Sequence, residues 1–169
     1  MKAVTYHVYG APEVLGLEGV PNPEPKENEI LIRIHVAEVT KADSELRSFQ
    51  FPVKWFWLPL RIATGLRRPR QPILGSYFAG EVVYLGYSTH SFKVGDRGFG
   101  SSQLRAGVYS EYLSLPENYT IALLPKNLSY NEAAAVPLGG LNAWHFLRRA
   151  RMEALFSPLI ANRAYKTFS

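Results

Sequence analysis

The chain contains no cysteine among its 169 residues. This absence excludes disulfides, iron–sulfur ligation, cysteine nucleophiles and every zinc site that uses thiolates. Long apolar runs are also missing, since the longest candidate, FPVKWFWLPLRIATGL, is broken by Lys54, Pro59 and Arg61 and is too short to span a bilayer. The first ten residues, MKAVTYHVYG, lack the apolar core of a secretion signal. We therefore expect a cytoplasmic protein.

Glycine is absent after Gly140. A glycine-rich turn between a strand and a helix is what binds the pyrophosphate of a dinucleotide, because glycine lets the backbone approach the phosphates closely. Residues 141–169 hold no turn of this kind, and no acidic residue follows in a position to bind a ribose.

The charge of the chain is positive and unevenly spread. The formal net charge is +5, and the basic clusters are Arg61, Arg67, Arg68 and Arg70, and Arg148, Arg149 and Arg151. Such clusters are found in proteins that bind nucleic acid or acidic lipid. No groove-reading motif accompanies them, so we favour a solvated surface that attracts a phosphorylated small molecule, and expect no nucleic-acid partner.

The first 125 residues have the sequence pattern of a β protein. EILIRIHVAEV alternates cleanly, with Ile30, Ile32, Ile34 and Val36 on one face of a half-buried strand. Glycine and proline divide the rest into about seven strands, and glycines at 75, 80 and 86 indicate bulges, bends or close backbone approach. This pattern is typical of a small barrel or sandwich.

Helical signals are few before residue 129 and frequent after it. TKADSELRS predicts a helix of two turns, whereas the aromatic segment 49–60 has no clear period. Ser129 and Glu132 form a capping-box pattern before an alanine run. A second helix is predicted over GGLNAWHFLRRARMEALF, so the chain reads as a β body followed by a helical tail.

Four blocks carry a family resemblance: ILGSYFAGEVVYLG, FKVGDRGFG, GVYSEYLSLP and LSYNEAAAVPLGGLNAWHFL. In this order they resemble the medium-chain dehydrogenase/reductase superfamily, and more closely its zinc-free, quinone-oxidoreductase-like branch. The match runs from Met1 to about Ala150. It implies a mainly β fold: a GroES-like, partly open β-barrel with a C-terminal helical tail. It also implies a substrate domain at 1–128, with 129–169 as the start of a truncated or replaced cofactor domain.

The resemblance further implies a protein without zinc. Where the zinc-using branch has its metal ligands, this chain has Thr40, Ser76 with Tyr77, and Leu138. A leucine cannot bind a metal, and hydroxyl groups are poor replacements for thiolates. The implied cofactor is NADP or NAD alone.

The same resemblance suggests where a site would lie. Thr40 and Tyr77 are the candidate catalytic residues, and the substrate pocket would comprise Thr40, Asp43, Trp55, Trp57 and Tyr77. Asn142 and Thr40 are weak candidates for contacts with the nicotinamide. Two plainer interpretations remain open: Asp43 stabilises the start of a helix and pairs with Arg47, and Tyr77 is a packed aromatic.

Two functions are consistent with these residues. The first is the substrate-side half of a zinc-independent, NAD(P)H-dependent oxidoreductase of quinones, enones or similar carbonyl compounds, inactive alone because the dinucleotide-binding loop is absent. The second is a non-catalytic binding module that pairs with a full-length homologue, or docks on a membrane surface through residues 49–70, the membrane being the less favoured partner. Self-association through the helical tail is expected in either case.

Overall fold

A computed structural model describes residues 1–51 and 57–149 of the chain. In this part the elements follow the order three strands, two helices, four strands and two helices. The strands are β1 (Lys2–Tyr6), β2 (Leu15–Gly19), β3 (Glu29–Glu38), β4 (Tyr77–Leu85), β5 (Arg97–Ser101), β6 (Tyr112–Pro116) and β7 (Ile121–Leu123), and the helices are α1 (Lys41–Ser48), α2 (Trp57–Thr64), α3 (Tyr130–Ala135) and α4 (Leu141–Arg149).

The strands form an antiparallel, partly open barrel. Five of them make one sheet in the order β6-β3-β4-β5-β7, and β1 pairs with β2 in a separate hairpin. Single bridges from Ala3 to Ser110 and from Thr5 to Ile73 join this hairpin to the remaining body. The mainly β architecture and the seven strands predicted from the sequence are confirmed.

The strand β3 is central and carries much of the core. Ile30 and Ile32 are buried with Phe78 and Leu115, and Ile34 packs against the same cluster. The register with β4 shifts between Ile34 and Val36. One extra residue in a strand reverses the facing of all that follow it.

This bulge corrects one prediction from the alternating pattern. Val36 does not share a face with the preceding isoleucines; it packs with Ala79 and Leu124, while Ala37 takes the inward position. An alternating pattern shows only which residues are apolar, not where a bulge lies. Beyond the bulge both faces of β3 are apolar, so the pattern could not show which face Val36 takes.

The helical segment 130–149 begins against the barrel. Ser129 and Glu132 make the predicted capping box, in which the Glu132 carboxylate accepts the Ser129 amide proton at 2.9 Å. Ala133 and Ala134 are buried against Ala79 and Leu124. A π-helical turn over Val136–Gly140 leads into α4. The described part of the predicted second helix is therefore Leu141–Arg149, and its continuation falls outside the described residues.

Helix α4 presents apolar side chains to solvent. Leu141 and Phe146 are largely exposed, and Trp144 is 44% exposed. Among the described residues, no helix is both long and apolar enough to cross a bilayer.

Candidate functional site

The start of α1 lies beside the end of the β3–β4 ladder. Glu38, the last residue of β3, stands opposite Tyr77, the first residue of β4. Thr40 follows two residues later as the N-cap of α1, and Asp43 lies in the first turn. The topology thus brings Thr40, Asp43 and Tyr77, three of the predicted site residues, to one edge of the barrel.

Thr40 and Asp43 form a capping box. The Thr40 hydroxyl donates to Asp43 Oδ2 at 2.6 Å, the Thr40 amide donates to the same oxygen at 2.9 Å, and the Asp43 amide donates back to Thr40 Oγ1 at 3.3 Å. A hydroxyl has one proton and two lone pairs. Thr40 has therefore committed its proton within the box and keeps one lone pair, so toward a ligand it acts as an acceptor.

Asp43 also ties α1 to the loop before β4. Its side chain is buried, and Oδ1 accepts the amide proton of Gly75 at 3.2 Å. Arg47 does not pair with Asp43 as the helical spacing suggested; its guanidinium donates to the carbonyl of Gly10 at 2.8 Å. Both Asp43 oxygens are thus occupied by protein donors, which makes this residue a positioning group.

Gly75 and Tyr109 lie at the same edge of the barrel, next to Asp43 and Glu38 respectively. Gly75 has φ +92°, and a Cβ atom at this position would lie 2.6 Å from Cδ1 of Tyr109. The Tyr109 hydroxyl reaches the Glu38 carbonyl at 3.5 Å. Burial, with the nearby negative charge of Asp43, raises the pKa of Tyr109 above its usual range. Tyr109 therefore remains a neutral phenol.

Glu38, like Tyr109, is a titratable group at this edge that was not among the site residues predicted from the sequence. Its Oε2 is buried and has no hydrogen-bond partner among the described residues. Burial, followed by the charge of Asp43, raises the pKa of Glu38. Neither Glu38 nor Tyr109 belongs to a recognisable local motif, because their neighbours come from distant parts of the chain.

Tyr77 is the polar group at this edge that remains available. Its side chain is half-buried, and its hydroxyl makes no hydrogen bond within the part of the chain described by the structure. The two interpretations of this residue are thus compatible, because the side chain is half-buried, as a packed aromatic would be, and its hydroxyl is unengaged. Such a phenol can donate a hydrogen bond to a ligand oxygen.

The remaining predicted residues lie elsewhere or outside the described chain. Trp57 begins α2 and packs edge-on against Phe49 with ring centroids 5.9 Å apart. Phe49 caps the opposite end of α1 from Thr40, and eight residues of helix separate them by about 12 Å. Asn142 is exposed on α4. Trp55 lies outside the described residues, so its pocket role stays a prediction.

An open, apolar groove of about 550 Å³ adjoins this edge. It runs between the β1–β2 hairpin and β3, and its lining includes Leu15, Leu17, Ala37, Val39 and Tyr109. Tyr109 thus contributes to both the groove and the cluster around Asp43. Within the described ranges, no group of three or more acidic or imidazole side chains has the arrangement of a metal site.

A partly open, antiparallel barrel with this helical extension defines the GroES-like class. The family model described as "Alcohol dehydrogenase GroES-like domain" matches residues 26–126. The chain belongs to this family, within the quinone-oxidoreductase-like branch of the medium-chain dehydrogenase/reductase superfamily.

Three similar proteins show how far the likeness extends. Human quinone oxidoreductase is 32% identical over 149 residues, which are 87% of this chain and 40% of the relative. The structure of the quinone oxidoreductase from Coxiella burnetii superposes with a TM-score of 0.75 at 29% identity, over 89% of this chain and 45% of that one. The Escherichia coli quinone oxidoreductase complexed with NADPH gives a TM-score of 0.71 at 27% identity, over 89% and 41%. The chain thus spans less than half the length of these relatives.

Proposed function

We propose that this chain forms the substrate-side half of a zinc-independent, NAD(P)H-dependent reductase of quinones or enones. The observation that carries the proposal is that Tyr77, whose hydroxyl has no partner among the described residues, begins β4 at the barrel edge that also carries Thr40 and the buried Asp43, in a barrel whose relatives are quinone oxidoreductases. The overall reaction would be a two-electron reduction, in which a quinone takes up a hydride and a proton and becomes a hydroquinone.

The chain's own residues would have separate roles. Tyr77 would donate a hydrogen bond to the quinone oxygen, where negative charge develops as the ring is reduced. The remaining lone pair of Thr40 would accept a hydrogen bond from the nicotinamide carboxamide. Asp43 would hold Thr40 in place, and Trp55 would contribute to an apolar wall of the substrate pocket, whereas Trp57 packs against Phe49 at the other end of α1.

The residues present suit only one end of the cofactor. Thr40 and Asn142 offer groups for the nicotinamide end, which supplies the hydride when the cofactor is bound. The 169 residues contain no glycine-rich turn that would bind the phosphates. We therefore propose that these residues bind NADPH weakly without a cofactor-binding half. The exposed apolar side chains of α4 are the surface that such a half would cover. The domain boundary at residue 128 and the cytoplasmic location remain predictions.

A chimera tests this proposal. Residues 1–128 would replace the matching barrel of the E. coli quinone oxidoreductase, and oxidation of NADPH by a quinone would be followed by absorbance. We expect turnover by the chimera and none by the 169-residue chain alone. A chimera that folds and binds NADPH but does not reduce quinones would refute the substrate-side role.

A further inference from the structure

The positive charge of the chain is concentrated in two segments, residues 46–80 and residues 148–169. Residues 46–80 contain six arginines and lysines and no aspartate or glutamate. Residues 148–169 contain five arginines and lysines and one glutamate, and the rest of the chain is acidic, because the whole chain has a formal net charge of +5. Within the barrel, an anionic surface is therefore attracted to residues 46–80.

Helix α2, in the middle of this segment, turns its one charged side chain inward. The Arg61 guanidinium lies 3.8 Å from the ring centroid of Tyr9 and 4.3 Å from that of Phe49. Its Nε donates to the carbonyl of Leu66 at 2.8 Å. Cation–π contacts of this kind anchor the helix to the barrel. They also leave the outward face of α2 without charge.

That outward face is apolar and exposed. Leu58 and Ile62 lie one turn apart and are each 56% exposed, Trp57 is 46% exposed, and Leu66 continues the same surface just beyond the helix at 60%. Soluble surfaces rarely gather four large apolar side chains without a partner that covers them.

The basic side chains follow directly in a loop fixed to the helix. The Gly65 amide donates to the Arg61 carbonyl at 3.0 Å, and the Arg70 amide donates to the Thr64 carbonyl at 2.8 Å. The exposed Arg67, Arg68 and Arg70 are therefore held beside the apolar face.

We propose that α2 and the loop 65–70 form a docking surface for an anionic lipid bilayer, with the helix lying in the interface. Apolar side chains with a tryptophan enter the headgroup boundary, while adjacent arginines bind anionic headgroups. A nucleic acid would leave the apolar face uncovered. A second copy of the chain packed face to face on this surface would bring the two basic loops together, and their like charges would repel. An anionic bilayer satisfies both halves of the surface.

Vesicle sedimentation tests this surface with the full 169-residue chain. We expect the chain to sediment with vesicles of equal parts phosphatidylcholine and phosphatidylserine, and to stay in solution with phosphatidylcholine alone. Leu58→Glu with Ile62→Glu should abolish the binding. Arg67→Gln with Arg68→Gln should weaken it about tenfold or more, and high salt should act in the same direction.

Matched controls separate this surface from general effects. Leu104→Glu alters a leucine that is 93% exposed, and Lys93→Gln with Lys126→Gln removes the same charge from another surface. Both should leave sedimentation unchanged, and thermal unfolding checks that every variant is folded. The proposal is overturned if wild type ignores phosphatidylserine, or if the controls weaken binding as much as the α2 and loop variants. It is also overturned if Ile62→Glu changes the oligomeric state of the protein, measured as its mass in solution, but does not change its lipid binding.

Discussion

Replacing Gly75 by alanine tests the packing that fixes the candidate site. Gly75 has φ +92°, which disfavours any residue with a Cβ atom. The added Cβ would also meet Tyr109 Cδ1 at 2.6 Å and Val108 Cβ at 2.9 Å. Val108 is buried in the core, and Tyr109 is half-buried with its hydroxyl at the Glu38 carbonyl, so neither neighbour can move away freely.

Gly95 offers a control with nearly the same φ. Its φ is +91°, and a Cβ atom there would meet nothing within 4 Å. In both alanine variants the positive φ should lower the free energy of unfolding by about 1–2 kcal/mol. The difference in stability between the two variants therefore measures the overpacking at Gly75 alone, which we expect to be about 1–3 kcal/mol. A difference of about 2 kcal/mol lowers Tm by about 4–8 °C.

Thermal unfolding by circular dichroism measures this difference. We expect Gly75→Ala to melt several degrees below Gly95→Ala. A double variant that also carries Tyr109→Ala should show a favourable coupling, because removal of the ring makes room for the methyl group. Equal melting temperatures for the two single variants would refute the close contact between Gly75 and Tyr109.

Three further predictions concern charge and cofactor. Glu38→Gln should gain stability relative to wild type as the pH rises above 4.5, the ordinary pKa of this group, because the raised pKa of Glu38 makes its contribution fall as the pH rises; a constant difference would contradict this. Burial by itself would raise the pKa of Glu29, but hydrogen bonds, first from Arg105, leave it lowered. Arg105→Gln should therefore lower the free energy of unfolding by about 2 kcal/mol at neutral pH. This is less than for a fully buried ion pair, because Arg105 is 41% exposed. Chemical denaturation should show this cost shrinking as the pH falls below the ordinary Glu29 pKa of 4.5; a cost that does not change with pH would contradict the pairing. Excess NADPH should leave Tm of the full chain unchanged, whereas ligand at a hundred times its dissociation constant would add about 2.7 kcal/mol.

Local patterns predicted much of the fold. The alternation of β3 and the capping pattern at Ser129 are read over a few neighbouring residues, and the structure confirms both elements. Helix α2 was not predicted, because Trp55, Phe56 and Trp57 run consecutively and hide any helical period. What holds it is Arg61 on Tyr9, a contact that no local window contains.

The candidate site was predicted only in part, for the same reason. The family resemblance indicated Thr40, Asp43 and Tyr77, and the structure places them at one edge. Their catalytic and binding roles stay predictions. The hydrogen bond from Gly75 to Asp43 and the contact of Gly75 with Tyr109 join residues more than thirty positions apart. Such pairs depend on the register of the barrel, and a single bulge changes that register.

The most direct test of the substrate-side role is the rate of NADPH-dependent quinone reduction by the chimera with Tyr77→Phe. We predict a fall in kcat/KM of about 10- to 100-fold, because the donor to the quinone oxygen is lost. Tyr84→Phe alters an exposed tyrosine on the same strand, β4, and should leave the rate unchanged. Equal rates for the Tyr77→Phe and Tyr84→Phe chimeras would contradict the role assigned to Tyr77.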